Sequence, residues 1–347
     1  MKSMNLSRLG GAAFLLSLVA ACGGGGDAAP VTEAPTSALL RADELEGVHA
    51  AARAALLAAK SQLAAETYGE VTEPVVEPHR RSADGQWVFG GAYLPIPAHV
   101  EHATPVNALF IARRVDQGWQ ITLEDADGFA DLMSQAAPEV SSDEERRVYT
   151  QRALHARAAT DVSALGGGGN VVGLGLPYRR DDASWGMWGV HGDGGNTRPY
   201  NAIDFMAGDG RVLASRGGVA YRFCGNGRST FIKVVHDNGY TTGYYHLRNQ
   251  APISNGQRVR EGDFLGMIGV ELPCGGSANG NHVHWTLWRG GSNGRPEPVD
   301  GKVIGGWTFH ESNRAYSGYA ERNGRRVQTN GKGLVNHGSG DGGAAAL

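Results

Sequence analysis

A mainly β chain preceded by a smaller α+β unit is the fold class this sequence predicts, and three observations predict it. Glycine contributes 53 of 347 residues, about twice the usual share of ~7%, and most of it falls after residue 160. Short strand-like runs recur in that glycine-rich part, separated by turn signals such as "DNG" and "SNG". The Ala- and Leu-rich first part is cut off from it by "ALGGGGNVVGLG", where four consecutive glycines cannot hold regular structure cheaply.

The N-terminus reads as a targeting segment. Lys2 and Arg8 flank the start, and residues 9–21, "LGGAAFLLSLVAA", form an apolar stretch too short for a stable membrane anchor. Residues 1–21 are therefore expected to be a signal peptide. The small-residue run before Cys22 looks like a lipoprotein processing site, which makes Cys22 the lipidated residue and residues 22–36 a flexible tether. Gly23 is not the aspartate linked to inner-membrane retention, so an outer-membrane lipoprotein is expected if the source is Gram-negative. The alternative is ordinary cleavage after Ala21 and a secreted product.

Residues 37–163 read as the α+β unit. Helices are expected over 37–66, 126–136 and 142–158, the last with a capping-type start, "SSDEE". Between them "GQWVFGGAYLPIP", "NALFIARRV" and "GWQITLED" are β-prone. Residues 164–172 form the linker, a candidate processing site. Residues 173–335 follow as an all-β domain, with "RVLAS", "GGVAYRF", "FIKVVH", "TTGYYHL", "DFLGMIG" and "HVHWTLW" as strands. "FIKVVHDNGYTTGYYHL" predicts a hairpin turning at Asn238-Gly239. Residues 336–347 are expected to be a flexible tail.

A formal net charge of −3 gives no basic field to draw the chain onto nucleic acid. Of three cysteines, lipidation of Cys22 leaves Cys224 and Cys274 as an even pair. An exported chain meets an oxidising compartment, so a Cys224–Cys274 disulfide is expected, two buried free thiols being the alternative.

The chemistry-bearing residues lie in the β domain. "GNHVHWTL" places His282 and His284 at i and i+2 of a strand, on one face. His191 opens "HGDGGNTRPYNAIDF", Asp204 sits there between Ile203 and Phe205, and His246 ends "GYYHL". A carboxylate between apolar neighbours needs a partner if buried. Three protein ligands plus an open position make a catalytic zinc site, and imidazole with carboxylate suits that ion. Two further groups remain for general base and oxyanion stabilisation.

These segments resemble the lysostaphin-type zinc metallopeptidases, and among them the staphylolysin and beta-lytic metalloendopeptidase group. The resemblance spans about residues 175–320 and includes "ASW" at Ala183–Trp185, the His191–Asp204 spacing, "YYH", "GNHVH" and the positions of Cys224 and Cys274. It implies an antiparallel β-sheet with a groove floored by one Zn²⁺ per chain. It also implies His191, Asp204 and His284 as ligands, His246 and His282 as catalytic histidines, and Tyr316 as support for the oxyanion. The substrate class implied is peptidoglycan peptides, cleaved at Gly-Gly or Gly-X bonds by a monomer. The first part is similar to the pro-regions of that group, so a covering role released by cleavage near Gly167–Asn170 is expected. Two departures stand out: Asn281 replaces the usual proline, and a late cysteine pair is missing.

Two other readings compete. A cupin-type metal site needs a carboxylate soon after the H-x-H, and none comes before Glu297. A non-catalytic wall-binding or amidase-activating relative would lack ligands, whereas here all are present. His236, at a hairpin end, is read as structural or solvent-facing, and His310 and His337 have no partner in the pattern.

Overall fold

The computed structural model describes residues 42–124, 126–164, 170–225, 228–290 and 295–340. The signal peptide, the tether and Cys22 lie outside the described residues, as do residues 165–169, which contain the four-glycine run.

The α+β half begins with α1 (Ala42–Tyr68) and continues through β1 (Val75–Arg81), β2 (Trp87–Leu94), β3 (Ile96–Glu101), β4 (Val106–Val115), β5 (Gly118–Leu123), α2 (Phe129–Gln135) and α3 (Asp143–Ala164). Strands β1, β2, β4 and β5 pair antiparallel in that spatial order. Helix α1 packs on this sheet through Val48, Ala52 and Leu56, four residues apart and so on one helix face. Helix α3 starts with a capping box. Ser142 Oγ accepts from the Glu145 N–H, and the Glu145 carboxylate accepts from the Ser142 N–H. Strand β1 has no clear sequence signal because Pro78 and a bulge beside it mark an edge strand.

The β half contains β6 (Trp185–His191), β7 (Ala202–Ala207), β8 (Arg211–Leu213), β9 (Gly218–Phe223), β10 (Phe231–His236), β11 (Tyr240–Arg248), β12 (Gln257–Val259), β13 (Phe264–Glu271), β14 (Gly275–Ser277), β15 (Val283–Arg289) and β16 (Arg295–Pro296). A small antiparallel sheet closes it, made of β17 (Val303–Ile304), β18 (Trp307–His310), β19 (Tyr319–Arg322) and β20 (Arg325–Gln328). The main sheet runs β12-β9-β10-β11-β15-β7-β6, antiparallel throughout, with β10 and β11 forming the hairpin that turns at Asn238-Gly239.

Both faces of the main sheet are buried, which explains why "FIKVVH" is apolar without alternation. Ala220, Ile232, Val234, Tyr244, Trp285 and Phe205 face one core, made within the β half. Their neighbours Val219, Tyr221, Phe223, Phe231, Val235 and Tyr245 face the other core, which is shared with the α+β half. The two halves thus pack as one unit. Polar ties cross between them. Arg80 pairs with Glu145, whose carboxylate also accepts from Tyr221. Buried Lys233 pairs with Glu124, and the Glu77 carboxylate accepts from the Cys224 and Gly225 amides.

Two stretches are better ordered than their sequence suggests. Residues 170–172 pair with Val303 instead of hanging loose. The tail read as flexible from residue 336 is packed at least to residue 340: Asn336 is buried and bonds to Leu176 and Tyr178. An Asn side chain that satisfies several backbone groups at once carries no local sequence signal.

Candidate metal centre

Strand pairing assembles the centre. Asp204 on β7 lies opposite His284 on β15, and cross-strand partners share a face. His191 ends β6 on the other side of β7. His191 Nε2 and His284 Nδ1 each stand 3.1 Å from Asp204 Oδ1. All three residues are fully buried. His191 Nδ1 donates to the Gly192 carbonyl, which leaves its Nε2 as a bare lone pair toward Asp204.

His282 and His246 stand beside this triad. His282 Nδ1 bonds to the Gly280 carbonyl and His246 Nδ1 to that of Glu271, so each presents Nε2 inward. Their ring centroids are 4.8 Å apart, and the His282 Nε2 is 3.7 Å from Asp204 Oδ1. Simple alternation would put His246 on the face opposite Tyr245 and His284. A positive φ of 65° and a bulge at this point re-aim it. Tyr316, also at positive φ, stacks on His191 at 4.4 Å.

The structure brings all six sequence-predicted residues together, and it adds two from the α+β half that sequence reasoning missed. His102 Nδ1 lies 3.8 Å from Asp204 Oδ2, and Thr104 Oγ1 lies 2.8 Å from His284 Nε2. A lone histidine in "EHATP" gives no local sign that it belongs to a centre formed some 90 residues later.

The donors suit a metal ion. His191 Nε2, Asp204 Oδ2, His246 Nε2, His282 Nε2, His102 Nδ1 and the Tyr316 hydroxyl are buried without a hydrogen-bond partner. So many unpartnered polar atoms converging on one point would be costly unless something binds them. His191, Asp204 and His284 form one candidate ligand group, and His102, His246 and His282 a second adjoining it. Two imidazoles and a carboxylate are a zinc donor set.

Electrostatics favour the ligand forms. Burial opposes ionisation of Asp204, but the surrounding His191, His282 and His284 rings outweigh it and hold the carboxyl well below its ordinary value. Burial pushes His284 down to about 4, and burial with the neighbouring His282 and His284 drives His246 well below its ordinary value. His284 and His246 are thus neutral, as a ligand and a base must be.

His236 is separate from this centre. It is buried, with Nδ1 on the Gly217 carbonyl and Nε2 on Thr242 Oγ1, and so is structural. Cys224 and Cys274 form a disulfide at the edge of the shared core.

Comparison with known proteins now adds to the geometry. The sequence pattern of Peptidase family M23 matches residues 198–296, a span that holds Asp204, His246, His282 and His284. The Beta-lytic metalloendopeptidase of Lysobacter enzymogenes is 31% identical over 130 residues, covering 34% of this chain and 70% of that protein.

This chain belongs to peptidase family M23.

Protease LasA of Pseudomonas aeruginosa is 32% identical over 127 residues, or 35% of this chain, and the match spans only 25% of LasA. The solved structure of the M23 metalloprotease pseudoalterin is 31% identical and matches 46% of this chain and 96% of its own, with a TM-score of 0.41. Membership in M23 agrees with the mainly antiparallel fold and with the clustered His and Asp side chains.

Proposed function

We propose that this chain is an exported zinc endopeptidase that hydrolyses peptide bonds in peptidoglycan cross-links, at Gly-Gly or Gly-X bonds. One observation carries the reading: His191 Nε2 and His284 Nδ1 both stand 3.1 Å from Asp204 Oδ1, flanked by the inward, unpartnered Nε2 atoms of His246 and His282. Membership in M23 and the likeness to a beta-lytic metalloendopeptidase support it.

His191, Asp204 and His284 would hold the ion. When bound there, zinc supplies Lewis acidity that brings the pKa of a water toward neutrality. His246 and His282 each turn an unpartnered Nε2 inward, so either could take a proton and return it to the leaving amine. Their Nδ1 bonds to backbone carbonyls fix tautomer and ring orientation, as a base held for one direction of transfer needs. Burial raises the Tyr316 hydroxyl far above its ordinary value, so it stays a neutral donor for a developing oxyanion. The signal-like N-terminus and lipidation at Cys22 would place the enzyme in the cell envelope.

The test is zinc content and lysis of purified cell walls by the full chain, before and after a cut introduced between residues 164 and 170. About one zinc per chain, with lysis abolished by His282→Ala, supports the peptidase. Zinc without lysis of any wall points to a binding role, and absence of zinc removes the ligand assignment.

A further inference from the structure

Strand β6 carries one residue more than its partner β7 needs. Met187 and Val190 both face the core made within the β half, although strict alternation would put them on opposite faces. A bulge between Met187 and Gly189, opposite Phe205 and Asp204, makes up the difference. Bulges beside functional sites re-aim side chains, and this one turns both Trp188 and His191 toward the metal centre. His191 reaches Asp204, and the Trp188 ring reaches His282.

The indole has a fixed seat there. Its centroid stands 4.8 Å from that of the His282 ring. A Cβ on Gly280 would come within 2.8 Å of the indole Cη2, so the ring lies directly on the glycine backbone. Gly280 also holds a φ of 68°, which a side chain would strain. The carbonyl of that same glycine accepts from His282 Nδ1 at 3.0 Å. Backbone, imidazole and indole thus pack as one block, and a large ring so wedged does not swing aside cheaply. His282 is wholly buried, whereas Trp188 stays half-buried. The part of the indole not pressed on the block therefore faces outward, next to a proposed base.

We propose that Trp188 is the residue that selects glycine at the scissile bond: its indole is a rigid, flat wall beside His282 that leaves no room for a substrate Cβ. Gly280 shows the principle within the protein, since it lies on this ring only because it has no side chain. A substrate glycine presses its backbone against the wall in the same way. A residue with a Cβ is held off by at least the size of a methyl group, and a misplacement of about 1 Å is enough to cost ~10²-fold in rate. This rests on the zinc-peptidase reading above and names the residue behind its glycine preference.

The experiment compares the full chain, wild type and Trp188→Ala, after the cut between residues 164 and 170, with zinc measured on each preparation. The probes are pentaglycine and the peptide Gly-Gly-Ala-Gly-Gly, with the products mapped by mass spectrometry. Wild type is expected to cut pentaglycine at least ~10-fold faster than either bond to the alanine. Trp188→Ala is expected to keep zinc, to slow on pentaglycine, and to bring the two rates within ~3-fold of each other. A zinc-loaded Trp188→Ala that slows equally on both peptides overturns the proposal, because the indole then only supports His282. If that variant loses zinc, Trp188→Phe decides with a smaller ring on the same seat. A partial fall in the glycine preference supports the proposal, and an unchanged preference overturns it. A wild type that lyses walls but cuts both peptides alike, or neither, overturns the proposal and leaves the peptidase standing. A zinc-loaded wild type that cuts neither peptide nor wall sinks the peptidase reading and the proposal with it.

Discussion

Thr104 and His284, 180 residues apart in sequence, are joined by a 2.8 Å contact between Oγ1 and Nε2. A metal on His284 Nδ1 requires the proton on Nε2, and Thr104 Oγ1 is placed to accept it. Such outer contacts orient a ligand and raise its basicity. Thr104→Val is therefore expected to lower the zinc affinity of the intact chain by about 10-fold, read by competition with a chelator. Unchanged affinity would show the contact to be incidental.

The two histidines of "HVH" should separate by role. His284→Ala is expected to lose the metal. His282→Ala should keep it and lose rate by ~10²-fold or more, the usual effect of removing a general base. Metal analysis and lysis rates on the same preparations decide this.

Breaking the buried pair between Lys233 on β10 and Glu124 beyond β5 should loosen the union of the halves. Both residues are only 8% exposed, so Glu124→Gln leaves a buried ammonium without its carboxylate. The expected cost is about 3 kcal/mol, measured by denaturant unfolding of the intact chain.

The Cys224–Cys274 disulfide closes a loop of 50 residues. Chain entropy puts its worth at roughly 4 kcal/mol. The double Cys→Ser variant should unfold at correspondingly lower denaturant, and an equal midpoint would deny the bond a role in stability.

Burial pushes His236 down to about 4 in the folded chain, below its ordinary 6.5. Between those values the unfolded chain binds a proton that the folded chain does not, so stability falls as pH drops from 6.5 toward 4. Above 6.5 this contribution is complete and level. His236→Asn should flatten that part of the stability–pH curve, as thermal midpoints across the range would show.

Much of the centre was legible because its residues sit in local patterns. An H-x-H on a strand puts both rings on one side by period alone, and Asp204 between Ile203 and Phe205 declares itself a buried carboxylate in need of partners. The strands of the main sheet were legible for the same reason: "FIKVVH" and "GVAYRF" are bounded runs of β-formers. Strands β17 and β20, at two and four residues, are too short to carry a pattern. Asn336 looked like tail because its bonds to Leu176 and Tyr178 are visible only in three dimensions.

By itself the sequence determined the β class of the second part, the pairing of its two cysteines as an expectation, and five of the residues that meet at the centre, Tyr316 being implied by the family resemblance alone. Those follow from short-range chemistry: strand period, turn residues and donor type. Tertiary structure alone decided that the α+β half shares a core with the main sheet, that a positive φ turns His246 inward, and that His102 and Thr104 reach Asp204 and His284. Each of these depends on strand register and on surfaces brought together from distant parts of the chain. No window of neighbouring residues holds that information.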